Sequence, residues 1–269
     1  MLGKLLKYEF KATGKTFLPL YGALLIVSII QKIFFETGVF ETNNTVLALL
    51  SASIPMIFSG LIVALMAVTV VTMVQRFSKN LLGQEGYLMF TLPVKTSVLI
   101  WSKLIAAWVW SILSMVVAIL AFVITFFGFV EWEIVLRELR DVILYITQNF
   151  NVALIIFEFS ILMIVGSASS ILTIYLALSI GQLVYKHRML VSVGAYVGIS
   201  IIVNNILSAI FVAVGESSIG ENIQRTLESL DGMAAVNFIM ILLIVFVAIQ
   251  AVVYFICTNK ILTKRLNLE

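Results

Sequence analysis

Two short motifs carry residue types that bind phosphate or metal, and neither is complete. Gly14-Lys15-Thr16 matches the end of a phosphate-binding loop, but that motif needs a glycine five residues earlier, where this chain has Glu9. His187 is the only histidine, and it lies between Lys186 and Arg188 without the further ligands that a zinc site requires. We therefore predict no catalytic, cofactor-binding or metal-binding residue, and no enzyme activity in this chain by itself.

Glu158 is the one acidic residue that lies well inside a long apolar run. A charged side chain at the centre of a membrane helix costs about 2.5–3.5 kcal/mol on insertion scales, so such residues usually serve a purpose. Glu158 either lines a water-filled path or pairs with a neighbouring helix. The alternative is a carboxyl group that reaches outward to the surface, or that is protonated and makes a structural hydrogen bond.

The composition is that of an integral membrane protein. Of the 269 residues, 62% are hydrophobic and only 12% are charged, against about 25% charged in soluble domains. A helix needs about 20 apolar residues to cross a bilayer. Six runs meet that length, and we predict one all-α transmembrane domain over 1–269 with six membrane-spanning helices. The runs are 17–35, 46–74, 104–130, 152–180, 189–214 and 233–257.

Lysine and arginine are concentrated on one side of the predicted spans, and this asymmetry predicts orientation. If the N-terminus is cytoplasmic, thirteen of the seventeen Lys and Arg residues lie on the cytoplasmic side. Ten of the fourteen acidic residues then lie outside. We therefore predict a multi-pass protein of the cell membrane with both termini in the cytoplasm, and we expect no cleavable signal peptide.

Two segments outside the spans have helical amphipathic patterns. Segment 1–15 has leucines on one face and lysines on the other, which predicts an interfacial elbow helix; the alternative is a plain basic flank. Segment 131–149 repeats apolar residues at helical spacing and predicts a helix on the outer membrane surface. The polar connection 215–232 is predicted to contain a short helix around 221–230.

The loop 75–103 between the second and third spans is unusually apolar for a cytoplasmic segment. Residues 80–90 are predicted to form a short helix that Pro93 ends. Exposed apolar patches usually mark protein interfaces, which favours a docking site for a partner. The alternative is a hairpin that folds back against the bilayer. Its apolar residues are Leu81, Leu82, Tyr87, Leu88, Phe90 and Leu92.

Small residues in the later spans permit close helix contact. Gly194 and Gly198 are spaced four apart in the fifth span, and a cluster of small residues occupies 166–170 in the fourth. We expect tight packing between helices of this chain. The alternative is that Gly194 and Gly198 face a second subunit and form part of a dimer interface.

The loop between spans two and three resembles that of type-2 ABC exporter permeases. The resemblance rests on Leu82-Gly83-Gln84-Glu85-Gly86-Tyr87-Leu88, then Thr91-Leu92-Pro93-Val94, then Ser102-Lys103-Leu104. The basic N-terminal helix, the six spans and the two cytoplasmic ends are similar to that family as well. Among its members, the chain resembles small bacterial permeases that export peptides or antimicrobials, such as those of the phenol-soluble modulin exporter type.

The resemblance implies a permease without its own ATPase, so that ATP and magnesium would bind a separate ATP-binding subunit. It implies that helix 80–90 is the coupling helix, with Glu85 and Tyr87 as anchors and Leu82, Gly83, Gly86 and Leu88 completing it. It further implies a second permease copy or paralogue, a smaller ATPase contact at 181–188, and an outer gate at 215–232. The first and fifth spans would line the permease–permease interface.

We therefore expect a transport subunit that exports amphipathic peptides or other hydrophobic compounds, in contact with membrane lipid and not with nucleic acid. Spans rich in Phe and Met suit adaptable apolar contacts. The competing class is a stand-alone secondary transporter or channel that uses Glu158 as its ion site. A membrane scaffold or sensor without transport is a third class.

Overall fold

The computed structural model describes residues 2–37, 45–91, 93–127, 130–184, 186–215, 217 and 232–264. Their regular structure is entirely helical. The helices are α1 (Leu2–Glu36), α2 (Thr45–Phe77), a π-helical turn (Ser78–Leu82), α3 (Gln84–Thr91), α4 (Thr96–Phe126), α5 (Trp132–Gln148), α6 (Phe150–Gly181), α7 (Arg188–Gly215) and α8 (Gly232–Lys264). The predicted helix at 221–230 lies outside the described residues.

Six helices in the described part of the chain are long and apolar enough to cross a membrane: α1, α2, α4, α6, α7 and α8. The chain is thus an all-α, multi-pass membrane protein, as the sequence predicts. Two compact units divide it, one made of 1–76 and 98–139 and the other of 77–97 and 140–269.

The first unit is built around aromatic contacts between α1 and α4. Phe17 stacks on Trp110 with ring centroids 4.5 Å apart. Leu24 of α1, Leu65 of α2 and Ala121 of α4 are buried in the same cluster. Because buried residues recur every three or four positions along α1, one face of that helix is packed over most of its length.

Helix α1 differs from the prediction at its start. The sequence predicts a separate elbow helix over 1–15, whereas the structure has one unbroken helix from Leu2 to Glu36. A helix of 35 residues is about 52 Å long, well beyond the roughly 30 Å of hydrocarbon. The buried stripe continues across the expected boundary through Glu9, Thr13 and Phe17, and this packing favours a continuous helix over a turn.

The second unit is built around α6, which packs along both α7 and α8. Phe77, at the end of α2, stacks on Tyr175 of α6 with ring centroids 4.0 Å apart.

Helix α5 confirms the amphipathic helix predicted over 131–149. No residue of α5 is buried. Its apolar side chains, such as Leu136 and Ile143, are therefore exposed rather than packed against other helices.

A tight turn joins α6 to α7, and it depends on Gly181. A methyl group added to Gly181 would clash with Ser192 Oγ and lie 2.6 Å from the carbonyl oxygen of Arg188. His187, just before α7, has a positive φ of 57°. The turn is therefore closed by direct contact between the end of one helix and the first residues of the next.

Exchange of Gly181 for Ala should destabilise the protein by about 1–3 kcal/mol, because overpacking forces the backbone at Arg188 to move. Thermal unfolding in detergent measures the change. Gly166→Ala on the same helix is the matched control, since a methyl group there meets nothing within 4 Å. Equal unfolding temperatures for the two variants would contradict this account of the turn.

Candidate functional site

The loop that the sequence singles out is helical, but it is not one helix. Helix α2 runs on to Phe77 and continues as the π-helical turn Ser78–Leu82 before the chain extends at Gly83. Helix α3 follows over Gln84–Thr91. The predicted helix 80–90 is therefore interrupted at Gly83. A methyl group on Gly83 would lie 2.8 Å from the carbonyl oxygen of Lys79, so a larger residue would not fit there without a shift of the backbone.

Burial divides the predicted docking surface. Leu81 and Leu82 are buried, so their side chains offer no surface to a partner, contrary to the expectation of an exposed apolar patch there. Leu88 on α3 is 68% exposed. The N–H of Gly86 donates to the carbonyl oxygen of Gly83 at 2.9 Å, which closes the first turn of α3.

Four of the predicted coupling residues, Glu85, Gly86, Tyr87 and Leu88, lie on α3, and Gly83 directly precedes that helix. The structure thus has four of these residues on one short helix and Gly83 at its start. Leu82 belongs to the π-helical turn before it. The role of this set in ATPase coupling stays a prediction.

An ion network centred on the buried Glu9 joins the end of α2, the start of α4 and α1. Lys103 Nζ of α4 donates a hydrogen bond to Glu9 Oε1 of α1. Arg76 Nε, one residue before the end of α2, lies 3.5 Å from Glu9 Oε2. Glu9 is 5% and Lys103 is 3% exposed. One carboxylate therefore holds both chain segments through which the loop 77–97 leaves and re-enters the first unit.

The sequence does not single out Glu9 as a partner of these cations. One signal was available: Glu9 is the only acidic residue in 1–15, and helical spacing places it on the face of Leu2, Leu5 and Thr13 rather than with the lysines. An acid on the apolar face of a basic amphipathic helix calls for a buried cation, since buried charges are paired. The sequence cannot say which cation.

A chain of hydrogen bonds extends from Glu9 along the packed face of α1. Thr13 Oγ1 donates to the Glu9 carbonyl oxygen and accepts from Trp110 Nε1, both at 2.7 Å. The Tyr21 hydroxyl lies 2.9 Å from Ser114 Oγ. These bonds connect α1 to α4 at two further levels and satisfy polar groups that would be costly to bury alone.

Glu158 lies in the third turn of α6 and is 6% exposed. This burial argues against the alternative in which the carboxyl group reaches outward to the surface. Its Oε2 atom has no hydrogen-bond partner among the described residues, and the same holds for Asn237 Oδ1 on α8. Within the described residues, no group of three or more His, Cys, Asp and Glu side chains could hold a metal ion.

Two polar residues of the later spans, Asn205 and Gln250, bond within their own helices. Asn205 donates to the carbonyl oxygen of Ile201, and Gln250 donates to the hydroxyl of Tyr254. Methyl groups on Gly194 and Gly198 would meet no atom of the described residues within 4 Å, so the expected close packing is not seen at these positions of α7 in the described part of the chain.

Comparison with protein-family models, with characterised proteins and with solved structures finds no match to this chain. The fold and the site define a multi-pass helical membrane protein with an anchored loop between its second and third membrane-spanning helices. Its assignment to a family is therefore a proposal.

Proposed function

We propose that this protein is the membrane subunit of an ATP-driven ABC exporter, energised by a separate ATP-binding subunit that docks on the loop 77–97. The observation that carries the proposal is the anchorage of this loop. Arg76, directly before the loop, lies at ion-pair distance from the buried Glu9, and Lys103, six residues beyond the loop in α4, donates a hydrogen bond to it. The loop also presents the exposed Leu88 on a short helix. A loop that transmits force from a partner must be held firmly where it joins the membrane-spanning helices, and it must expose a surface on which the partner can dock.

The loop is well connected for this role. Its residues cluster with the second unit, yet it is joined covalently to the first unit at both ends. A partner that displaces α3 therefore acts on both units through the backbone. Because a ligand shifts a conformational equilibrium only by its differential affinity, ATP binding to the partner must favour one arrangement of the spans.

The proposal extends to orientation, cargo and assembly. The charge asymmetry of the connections supports a cell-membrane protein with cytoplasmic termini, and in that orientation α3 would face the side where ATP is available. Amphipathic peptides or other hydrophobic compounds suit the apolar spans. A second copy or a paralogue would complete the permease, and the open surface at Gly194 and Gly198 is where it would pack.

Affinity purification of the tagged protein from its native membranes in mild detergent tests this function. We expect an ATP-hydrolysing subunit to co-purify. The variant Leu88→Ser should recover less of it, because an exposed apolar residue of the docking helix is lost. Leu136→Ser, which removes an equally exposed leucine from α5, is the control. Absence of an ATP-binding subunit from the purified complex would refute the proposal.

One observation favours a second candidate function, a secondary transporter that moves an ion on Glu158. The Oε2 atom of this residue is buried without a hydrogen-bond partner in the described part of the chain. Such a group inside a span is typical of ion pathways. Glu158→Gln should abolish transport if this function holds, whereas an ATP-driven exporter should tolerate the change.

A further inference from the structure

An open pocket of about 360 Å³ lies in the second unit, at the C-terminal end of α8. It is lined by Leu183, which follows α6, and by Cys257, Lys260, Ile261 and Lys264 of α8. Leu183 belongs to the segment 181–188, which the resemblance makes a smaller ATPase contact, and the four lining residues of α8 have no role in the functions considered above.

The lining of the pocket is apolar toward the middle of α8 and basic toward its C-terminal end. Cys257 lies within the apolar part of α8, and Lys264 is its last residue. The two are separated by about 10 Å of helix rise, and they lie on the same face as Lys260 because the spacing is close to two helical turns. Leu183 and Ile261 supply apolar surface beside the two ammonium groups.

The two lysines of this pocket favour the binding of an anion. Lys260 and Lys264 are four residues apart, so their charges repel each other on adjacent turns of the helix. Both side chains are exposed, and neither forms an ion pair with a carboxylate among the described residues. The sequence places Lys186 and Arg188 at the same end of the spans. An anion at this pocket would relieve the repulsion.

We propose that this pocket binds the headgroup of an anionic phospholipid, with the phosphate between Lys260 and Lys264 and the upper acyl chain against Leu183 and Ile261. Basic pockets at the ends of membrane helices bind anionic headgroups in this way. The apolar lining favours a lipid over free phosphate, which would gain nothing from it. The orientation proposed above assigns the lipid to the inner leaflet, but the site does not depend on the transport function.

The only cysteine of the chain lies in this pocket, so the natural protein carries a site-specific probe. The full-length protein is labelled at Cys257 with a small fluorophore and reconstituted in phosphatidylcholine vesicles. Nitroxide-labelled phosphatidylglycerol or nitroxide-labelled phosphatidylcholine is then added at equal mole fractions, and quenching is compared. We expect preferential quenching by phosphatidylglycerol. The double variant Lys260→Gln/Lys264→Gln should lose about thirtyfold in relative affinity, at about fivefold per lysine.

The control is Lys4→Gln/Lys7→Gln, which removes two exposed lysines from α1 on the same predicted side of the membrane. It should keep the preference for phosphatidylglycerol. Equal quenching by the two lipids, or an equal loss in both double variants, would overturn the proposal, and so would competition by inorganic phosphate. Because the label occupies space, the rate of thiol modification of unlabelled Cys257 is measured as well. That rate should fall as phosphatidylglycerol is added, and an unchanged rate would count against the site.

Discussion

Exchange of Glu9 for Gln should lower the free energy of unfolding by about 3–5 kcal/mol, the usual cost of removing one partner from a buried ion pair. Lys103 is 3% exposed and donates to the Glu9 carboxylate, which would no longer be charged. Arg76 would lose its nearby anion as well. Thermal or chemical unfolding in detergent micelles measures the effect.

The matched control is Glu36→Gln at the other end of α1. Glu36 forms an exposed ion pair with Lys32 at 3.6 Å, four residues away on the same helix. Exposed pairs of this kind contribute well under about 1 kcal/mol, so the control should unfold close to the parent protein.

A double variant separates loss of charge from loss of packing. Lys103→Met in the Glu9→Gln background removes the buried cation that has lost its partner, so it should recover part of the stability. If the double variant is less stable than Glu9→Gln by the full cost of a second lesion, Glu9 and Lys103 are not coupled. The buried network would then not be the anchor of the loop.

The double exchange Glu85→Ala/Tyr87→Ala should abolish coupling between ATP hydrolysis and export while the protein stays folded and inserted. Both residues lie on α3, which the proposed function makes the docking helix. Loss of an anchor residue from an interface costs about 2 kcal/mol or more, which is about thirtyfold in affinity. Transport and the stimulation of the partner's ATPase are the quantities to measure.

The matched control is Glu138→Ala/Tyr145→Ala, which removes the same residue types from the exposed face of α5. It should transport as the parent protein does, because α5 lies on the predicted outer side. Normal transport together with normal ATPase stimulation in the α3 variant would show that this helix does not bind the ATP-binding subunit.

The helices themselves were predictable because their signals are local. Runs of apolar residues predict all six long helices, but three helices extend well beyond their runs: α1 begins at Leu2 rather than 17, α4 begins at Thr96 rather than 104, and α8 ends at Lys264 rather than 257. Periodicity alone predicted α5, whose pattern of apolar and charged residues repeats at helical spacing over Trp132–Gln148. Pro93 correctly marked the end of the short helix before α4.

The parts that the sequence did not predict depend on contacts between distant residues. Glu9 and Lys103 are 94 positions apart, and no local pattern pairs them. The continuity of α1 follows from packing against Trp110 and its neighbours rather than from the amphipathic pattern of its first turns. The predicted helix is interrupted at Gly83, where the backbone is extended and the carbonyl group of Lys79 occupies the space that a side chain would need.

The central claim is that ATP hydrolysis in a partner subunit, rather than an ion gradient, drives transport through this protein. Export of a fluorescent amphipathic peptide from energised membrane vesicles tests it most directly when ATP and the ion gradients are removed separately. We expect export to stop when ATP is withdrawn and to continue when ionophores collapse the ion gradients. The Glu158→Gln variant should export as the parent protein does. Export that continues without ATP, stops with ionophores and is lost in Glu158→Gln would contradict it.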